Sequence, residues 1–579
     1  MAIIGIDLGT TNSLAVAFRD GTTVFIPNHH GEILTPSVVG LDEKGSIIVG
    51  KTAKERLVTD PSLTTSLFKR NMGEKTKVSL GKRSFLPEEL SSFVLRQLIE
   101  DAKIFLGTSI EEVVISVPAY FNMKQRAMTK RAGLLAGVKV ERLLNEPSAA
   151  AIACRKDEED DIFIVFDFGG GTLDVSIVEV FDNVVNICAI SGDNQLGGRE
   201  FDQVIFKAFC EENQINEGEL TGQERESILR LAEISKIKLY TEDQVELKAK
   251  VQGKEAQMIL TNEKLTNLSE EIFRRMRDPI KKAMVDSGLQ SSQISKCILV
   301  GGSCHMPIVQ LYLGILLRVP VVADKELDYM VGKGLGIFVG IKERTAEVKD
   351  LVLTDICPYS LKINLENEMN PKKPLAFTMI PRNSILPKRV TEPFFTSKLG
   401  QTRILINVRQ GEEMYDDENL LLGKLIVKVP RNTKEHEQTE ITFFYDINAI
   451  LAVNVRVLST GEEYSLVLTG DGIKITDQNI LQELMRNLKD IEKIIGRDDR
   501  HSFLVARGKR IYAEGNATLQ EHLKTVIRDL EKLGEGTGSI QKKHQAMDEF
   551  EKYFDELEAG GEPDIFRVFS HLNDEEDTD

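Results

Sequence analysis

The segment Ile4-Gly-Ile-Asp7-Leu-Gly9-Thr10-Thr11 returns in outline as Val165-Phe166-Asp167-Phe-Gly169-Gly170-Gly171-Thr172. In each copy a β-branched run ends in aspartate, an apolar residue follows, then glycine and threonine, then a second apolar run. A hairpin with glycine at its turn lets backbone N–H groups approach phosphate oxygens with no Cβ in the way. The aspartate closing each strand faces the same gap and suits a divalent cation. Mg²⁺ sheds water reluctantly, so carboxylates hold it through its waters beside substrate phosphates. One copy alone reads equally well as a plain turn; two copies point to two lobes closing on one nucleotide. A third glycine turn, Leu299-Val300-Gly301-Gly302-Ser303, also follows an apolar strand and suits an adenosine. Gly332-Lys-Gly334-Leu-Gly336 lacks the preceding strand of a dinucleotide fingerprint and reads as helix packing. The sequence holds no Walker P-loop and no H-E-x-x-H.

Around these motifs, 579 residues are too many for one core. The composition, 41% apolar and 28% charged, is that of a globular protein. A net charge of −17 argues against nucleic acid or anionic lipid as partners, since both need a positive footprint. Six scattered cysteines (Cys154, Cys188, Cys210, Cys297, Cys304, Cys357) form no C-x-x-C pair, so neither zinc site nor disulfide framework is indicated and a reducing cytoplasm is expected. The start of the chain lacks the basic and apolar regions of a signal peptide. Cys297 to Leu317 carries no Asp, Glu, Lys or Arg, yet Gly301, Gly302, Ser303, His305, Pro307 and Gln310 interrupt it. A buried strand, a glycine turn and a buried helix fit better than a membrane span.

Residues 1 to about 345 alternate β-branched runs with helical patterns, including a helix predicted over Pro87 to Leu106. The acidic run Lys156 to Asp161 reads as a solvated loop. After Asp350-Leu-Val-Leu-Thr-Asp355 the pattern turns to period-two alternation, as in Arg403–Val408, Lys424–Val429, Ile441–Tyr445, Leu451–Val457 and Glu463–Leu468, which indicates a β-sandwich. Apolar stripes at Ile480–Ile491 and Leu519–Leu530 then mark helices, continuing to about Leu572 before the acidic end Asp574–Asp579. The expected division is 1–347, a linker at 348–356, a sandwich at 357–471 and helices at 472–579.

Taken together, Ile6-Asp-Leu-Gly-Thr-Thr-Asn-Ser13, Val117-Pro-Ala-Tyr-Phe121, Asn145-Glu-Pro-Ser-Ala-Ala-Ala151, Phe166 to Asp174, Gly192-Asp193 with Leu196-Gly-Gly198, and Leu299-Val-Gly-Gly302 resemble the 70-kDa heat-shock chaperones of the DnaK class. The resemblance spans the chain to about residue 470 and is looser beyond; Phe68-Lys-Arg70 and Asp355-Ile-Cys-Pro-Tyr-Ser360 are similar to the HscC-type branch. It implies an actin-like α/β ATPase domain built on a duplicated ribonuclease-H-like motif, a β-sandwich that binds peptides, and a shortened α-helical lid. It implies ATP and ADP as ligands, with Asp7, Glu146 and Asp167 around hydrated Mg²⁺ and neighbouring K⁺. Gly9, Thr10, Thr11, Asn12, Gly169, Gly170, Gly171 and Thr172 would meet the phosphates, and Gly197 and Gly198 the nucleotide. Lys69 would reach the γ-phosphate and position the attacking water, with Asp174 nearby. Glu233, Lys236, Gly301, Gly302, Ser303, His305 and Asp328 would form the nucleoside end. Two positions depart from the family there: Tyr240 replaces a serine and His305 an arginine that stacks on adenine, which implies a weaker or faster-exchanging nucleotide. Cys304 in the same turn reads as a small buried thiol.

The same resemblance implies coupling through the linker Leu351, Val352, Leu353 and Asp355, relayed by Pro118 and Arg126, with Arg142 engaging a J-domain co-chaperone. Met123 replaces a usual acidic residue in that relay, and Asn448-Ala449 replaces an Asp-Gly turn. Phe394, Ile404 and Ile406 would line the peptide channel, Ile404 making its central pocket shallower; from the bare sequence the same three read as sandwich core. The implied partners are unfolded client peptides, a J-domain protein and a nucleotide exchange factor, for a cytoplasmic monomer. The acidic end lacks the Glu-Glu-Val-Asp that co-chaperones clamp, so that docking is not expected. Two other classes share the phosphate grip. A sugar-type kinase needs an acceptor pocket with a general base, and an actin-like filament protein needs no peptide domain; neither explains the β and helical appendix.

Overall fold

The computed structural model describes residues 2–154, 160–181, 184–345, 352–367, 369–447, 449–469, 499–515, 517–535, 540–559 and 561. Leu351, Asn448, most of the acidic run before Asp161, the predicted helix at Ile480–Ile491 and the acidic end lie outside the described residues.

The sequence echo is the centre of a repeated sheet. In the first, Ala2–Asp7 runs parallel to Ile110–Val117, which is followed outward by Lys139–Asn145, and forms a hairpin with Asn12–Arg19, then Thr22–Ile26. In the second, Asp161–Phe168 runs parallel to Lys296–Val300, followed outward by Val321–Val322, and forms a hairpin with Leu173–Phe181, then Val184–Asp193. The strand order is the same in both, so equivalent strand ends meet at one place. The central strands are buried on both faces, which is why they read as continuous apolar runs.

Between the sheets lies a shared apolar core crossed by the helices Glu146–Cys154 and Met330–Lys342. At Gly334 a Cβ would sit on the Ala149 carbonyl, and at Gly340 one would enter the Phe18 ring. The glycine-rich run is therefore a helix face worn flat for close packing, as its missing strand suggests. Pro87–Leu106 forms the predicted helix. The apolar run after Gly301 differs from expectation: in the helix Pro307–Leu317 one face is buried, but Leu311 and Ile315 are 66% and 68% exposed.

Val352–Thr354 adds to the second sheet as a parallel edge strand beside Val184–Asp193, so the apolar tie is docked. Beyond it, two four-stranded antiparallel sheets face each other across one core. Their strand orders are Leu375–Ile380, Leu361–Leu365, Arg403–Gln410, Leu420–Lys428, and Lys388–Phe395, Gln438–Tyr445, Leu451–Val457, Glu463–Leu468. This sandwich seats on the α/β part. The side chain of Met123 is buried with the sandwich core, and its N–H donates to Gln410 at 3.0 Å. An apolar residue where an acidic one was the family expectation thus serves as a plug. Arg382 forks onto Asp286 at 2.9 and 2.5 Å.

The helices Asp499–Glu514, Ala517–Glu535 and Ile540–Glu558 enclose a separate core of Leu504, Leu523, Val526, Leu530, Phe550 and Phe554. The first of these helices lies in the stretch read as helical from sequence but was not marked there. It packs along Lys51–Thr59, with Phe503 beneath the Lys51 ammonium and against the His30 ring. No described helix is long and apolar enough to cross a membrane.

Candidate active site

Both hairpin turns open into one cavity of about 410 Å³. Its lining includes Asp7, Gly9, Thr10, Thr11, Asn12, Lys69, Glu146, Asp167, Gly169, Gly170 and Thr172, and extends to Gly198, Glu233, Lys236, Gly301, Gly302, Ser303, His305 and Asp328. The turns touch tip to tip: a Cβ on Gly170 would strike Thr11, and one on Gly171 would strike Thr10. Gly197 lies against Gly170 and Gly171, and Gly198 N–H donates to the Gly169 carbonyl at 3.0 Å. Gly301 takes φ +85° beside the Phe168 carbonyl, a conformation that glycine supplies without strain. The backbone can therefore approach a ligand from both lobes.

Carboxylates gather at the floor. Asp167 and Asp174 are cross-strand partners, and Asp7 ends the equivalent strand of the other sheet. Burial, and next the nearby Glu146 carboxylate, raise the pKa of Asp7 to about 6 and that of Asp174 to about 7. Asp167 is raised well above the ordinary range by burial and by Glu146, Asp174 and Asp7. Lys69 is 3% exposed and donates to Glu146 at 2.9 Å, with its ammonium over the Phe121 ring. Four crowded acids against one lysine leave negative charge unbalanced. Among the described residues no group of three or more His, Cys, Asp or Glu side chains is placed to hold a metal ion directly.

Several supporting residues were not singled out from sequence. Ser116 donates to Asp7 at 2.5 Å, and Tyr120 N–H donates to Asp174 at 3.2 Å. Arg70 forks onto Glu200 at 2.9 and 2.8 Å, and Glu200 also accepts from Gly197 N–H at 2.6 Å, bracing that glycine turn. Lys236 does not stand free: it donates to Gly198 O at 3.1 Å and to Asp202 at 2.7 Å. Glu233 pairs across the cavity mouth with Lys54 at 3.5 Å. These pairings join segments far apart in sequence, so no local motif announces them. The two departures at the nucleoside end are neighbours. Tyr240 and His305 stack with centroids 5.7 Å apart, the tyrosine hydroxyl meets Gly302 O at 3.4 Å, and His305 meets Asp328 at 3.3 Å. Cys304 is buried, and burial pushes its thiol far up, so it is no reactive thiolate.

From the cavity a hydrogen-bonded chain leads to the linker. Pro118 is buried, and Arg126 donates to Phe121 O at 3.0 Å, Ala119 O at 3.1 Å and Asn145 at 2.5 Å. Asn145, which immediately precedes Glu146, donates to both oxygens of Asp355 at 2.6 and 2.7 Å. Asn145 was read as part of a motif only, without this role. Arg142 is half-buried with its guanidinium over Phe338, and Leu353 packs on the shared core. In the sandwich, Phe394 and Ile404 are half-buried, with Phe377 edge-on to Phe394 at 5.4 Å. Ile406 is 3% exposed and lies within the sandwich core. Strand alternation sends Ile404 and Ile406 to one face, but only Ile404 reaches its rim. Phe377 is an apolar neighbour there that was not singled out from sequence.

A family model described as Hsp70 protein matches residues 3–80 and 74–562. The chain belongs to the Hsp70 family. It is 35% identical over 553 residues to the chaperone protein DnaK of Thermotoga neapolitana, covering 91% of this chain and 92% of that one. To the chaperone protein DnaK of Methanothermobacter thermautotrophicus it is 34% identical over 573 residues, covering 94% and 95%.

Proposed function

We propose that this protein is an ATP-driven peptide-binding chaperone in which the cavity hydrolyses ATP and the docked linker reports its state to the sandwich. The observation that carries this is the unbroken route from the carboxylate floor through Asn145 to Asp355 and the paired strand Val352–Thr354. A sugar kinase would have no use for it. The division at 1–347, 348–356, 357–471 and 472–579 follows the same logic, with an actin-like ATPase part, linker, sandwich and lid.

The hairpin amides of Gly9 to Asn12 and Gly169 to Thr172 hold the phosphates, while Tyr240, His305, Gly301 to Ser303 and Asp328 border the nucleoside. Asp7, Glu146 and Asp167 would hold a hydrated Mg²⁺, and K⁺ would bind nearby. When bound, the cation supplies charge neutralisation to the transferring phosphoryl group. Lys69 sits where it can orient water against the γ-phosphate, and Asp174, with a pKa near neutrality, can hold that water's proton. This is catalysis by positioning and electrostatics, as phosphoryl transfer demands. Extended apolar segments of unfolded clients bind at Phe394, Ile404 and Phe377, through backbone pairing and one side-chain pocket. A J-domain partner engages near Arg142, and an exchange factor assists release. The motif Phe68-Lys69-Arg70 and the post-linker segment to Ser360 support the HscC-type branch, the scattered cysteines support a reducing cytoplasm, and the family resemblance supports a monomer. Steady-state ATP hydrolysis tests the reading. Stimulation by an unfolded peptide with a J-domain supports it, and stimulation by a sugar instead refutes it.

A further inference from the structure

The nucleotide cavity has two walls at its mouth. One is the helix Lys51–Thr59, which contributes Lys54, Leu57 and Val58; the other is the helix Gly222–Lys238, which contributes Glu226, Arg230 and Glu233. Among the described residues one ion pair, Lys54 to Glu233 at 3.5 Å, joins these walls directly. The C-terminal helices add a second span. Arg510 is 2% exposed and pairs at once with Glu55 on the first wall and with Glu514 and Glu558 of its own bundle. Those two glutamates then reach Arg230 on the second wall, each at 3.6 Å. Arg507 holds Glu558 from the other side. The sequence of charges across the mouth is thus Glu55, Arg510, Glu514 with Glu558, and Arg230, alternating in sign from one lobe to the other.

We infer that the docked helical bundle straps the two lobes together over the nucleotide, with Arg510, Glu514, Glu558 and Arg230 as positioning residues that set how fast nucleotide leaves. Without the strap, opening the mouth breaks the Lys54–Glu233 pair; with it, opening must also separate Arg230 from the bundle or the bundle from Glu55. The strap sits outside the phosphate grip, so it acts on release and not on the hydrolytic step. It also offsets the lost arginine at His305: a base site that holds less tightly is closed from outside. A bundle that leaves the α/β part to cover the peptide site would at the same moment free the mouth, joining peptide capture to nucleotide exchange. The inference rests on the cavity being the nucleotide site.

Dissociation of a fluorescent methylanthraniloyl-ADP from the full-length chain tests it, together with binding at equilibrium and single-turnover hydrolysis. The double substitution Glu514→Gln, Glu558→Gln should speed release about two- to tenfold, the range that one or two partly exposed ion pairs span. Arg230→Ala should do the same, and combining all three should add little more, because one contact is being removed twice. Lys509→Ala, which removes a contact to Glu43 before the first wall and one to Glu531 within the bundle but none to the second wall, should leave release unchanged. Raising the salt should speed release in the parent chain more than in the variants. In the glutamate double variant, which leaves the cavity lining untouched, the single-turnover rate should stay as it was. Unchanged release in the glutamate double variant overturns the inference. Additive effects also overturn it, since they place Arg230 on the nucleotide itself. Failure of the parent chain to bind the probe would instead overturn the nucleotide assignment.

Discussion

Removing the Asn145 side chain should undock the linker while leaving the nucleotide cavity intact. Asn145 and Asp355 are both buried, and the asparagine amide supplies two hydrogen bonds to that carboxylate, at 2.6 and 2.7 Å. After Asn145→Ala the carboxylate keeps the Ile356 N–H at 2.9 Å, and Arg126 keeps two of its three acceptors. A hydrogen bond to a charged group contributes about 1.5–3 kcal/mol, and a buried charge that loses its donors keeps its desolvation cost. Two such bonds, softened by the neighbouring Arg142 and by water entering the space, make a loss of about 3 kcal/mol reasonable for the docked form. The undocked form, with Asp355 in water, loses almost nothing. The docking equilibrium should therefore move by roughly a hundredfold. Amide hydrogen exchange across Val352–Thr354 reads this directly, because pairing with Val184–Asn186 protects the amides that donate to that strand. Protection should fall by about the same factor. Mg·ADP binding should persist, since Asn145 does not line the cavity. Unchanged protection across this strand would refute the idea that this contact holds the linker.

Lowering the pH from about 8 to about 6 should weaken Mg·ADP binding by about twofold or more, because Asp7, at about 6, and Asp167, raised well above the ordinary range, must both be ionised beside the cation. Calorimetry in two buffers would see protons released on binding. The ligand-free fold moves oppositely: it holds more protons than the unfolded chain in this range, so these acids favour folding increasingly as pH falls from about 7 toward about 4. Lys69→Ala should reduce single-turnover hydrolysis about a hundredfold or more with nucleotide still bound, measured by rapid quench. Gly334→Ala would drive a methyl into the Ala149 carbonyl and should cost at least about 1–3 kcal/mol, seen as a lower Tm. Ile404→Asp should weaken binding of an apolar peptide by roughly tenfold or more in fluorescence anisotropy, with basal ATP hydrolysis retained.

The parts of the molecule that were legible in sequence are those whose chemistry is local. A glycine turn after an apolar strand must repeat its residues in order, so both hairpins and the nucleotide grip could be read at Asp7 and Asp167. Period-two alternation exposed the later sandwich strands, and one apolar stripe exposed the helix from Ala517 to Glu535. Contacts between distant segments were not legible. Asn145 with Asp355, Glu200 with Arg70 and Arg510 with Glu55 are polar pairs whose members carry no local signature. The helix Asp499–Glu514 lies in the stretch read as helical but was not marked there, because its arginines and histidine look like a surface; Arg510 is in fact turned toward Glu55, and Arg507 and His501 toward the other helices of the bundle. Ile406 shows the converse limit. Alternation identifies the inward face of a strand but not how far along that face the core ends and a groove begins.

The three-residue strand Val352–Thr354 occupies an open sheet margin beside Val184–Asn186. Whenever that segment departs, the amides and carbonyls it satisfied turn to solvent, and the margin becomes a landing strip for any other extended chain. Its brevity is then a safeguard, because so few rungs give an intruding peptide little to hold. A segment tethered to the same polypeptide wins the place through its high local concentration, and a stranger at ordinary dilution does not.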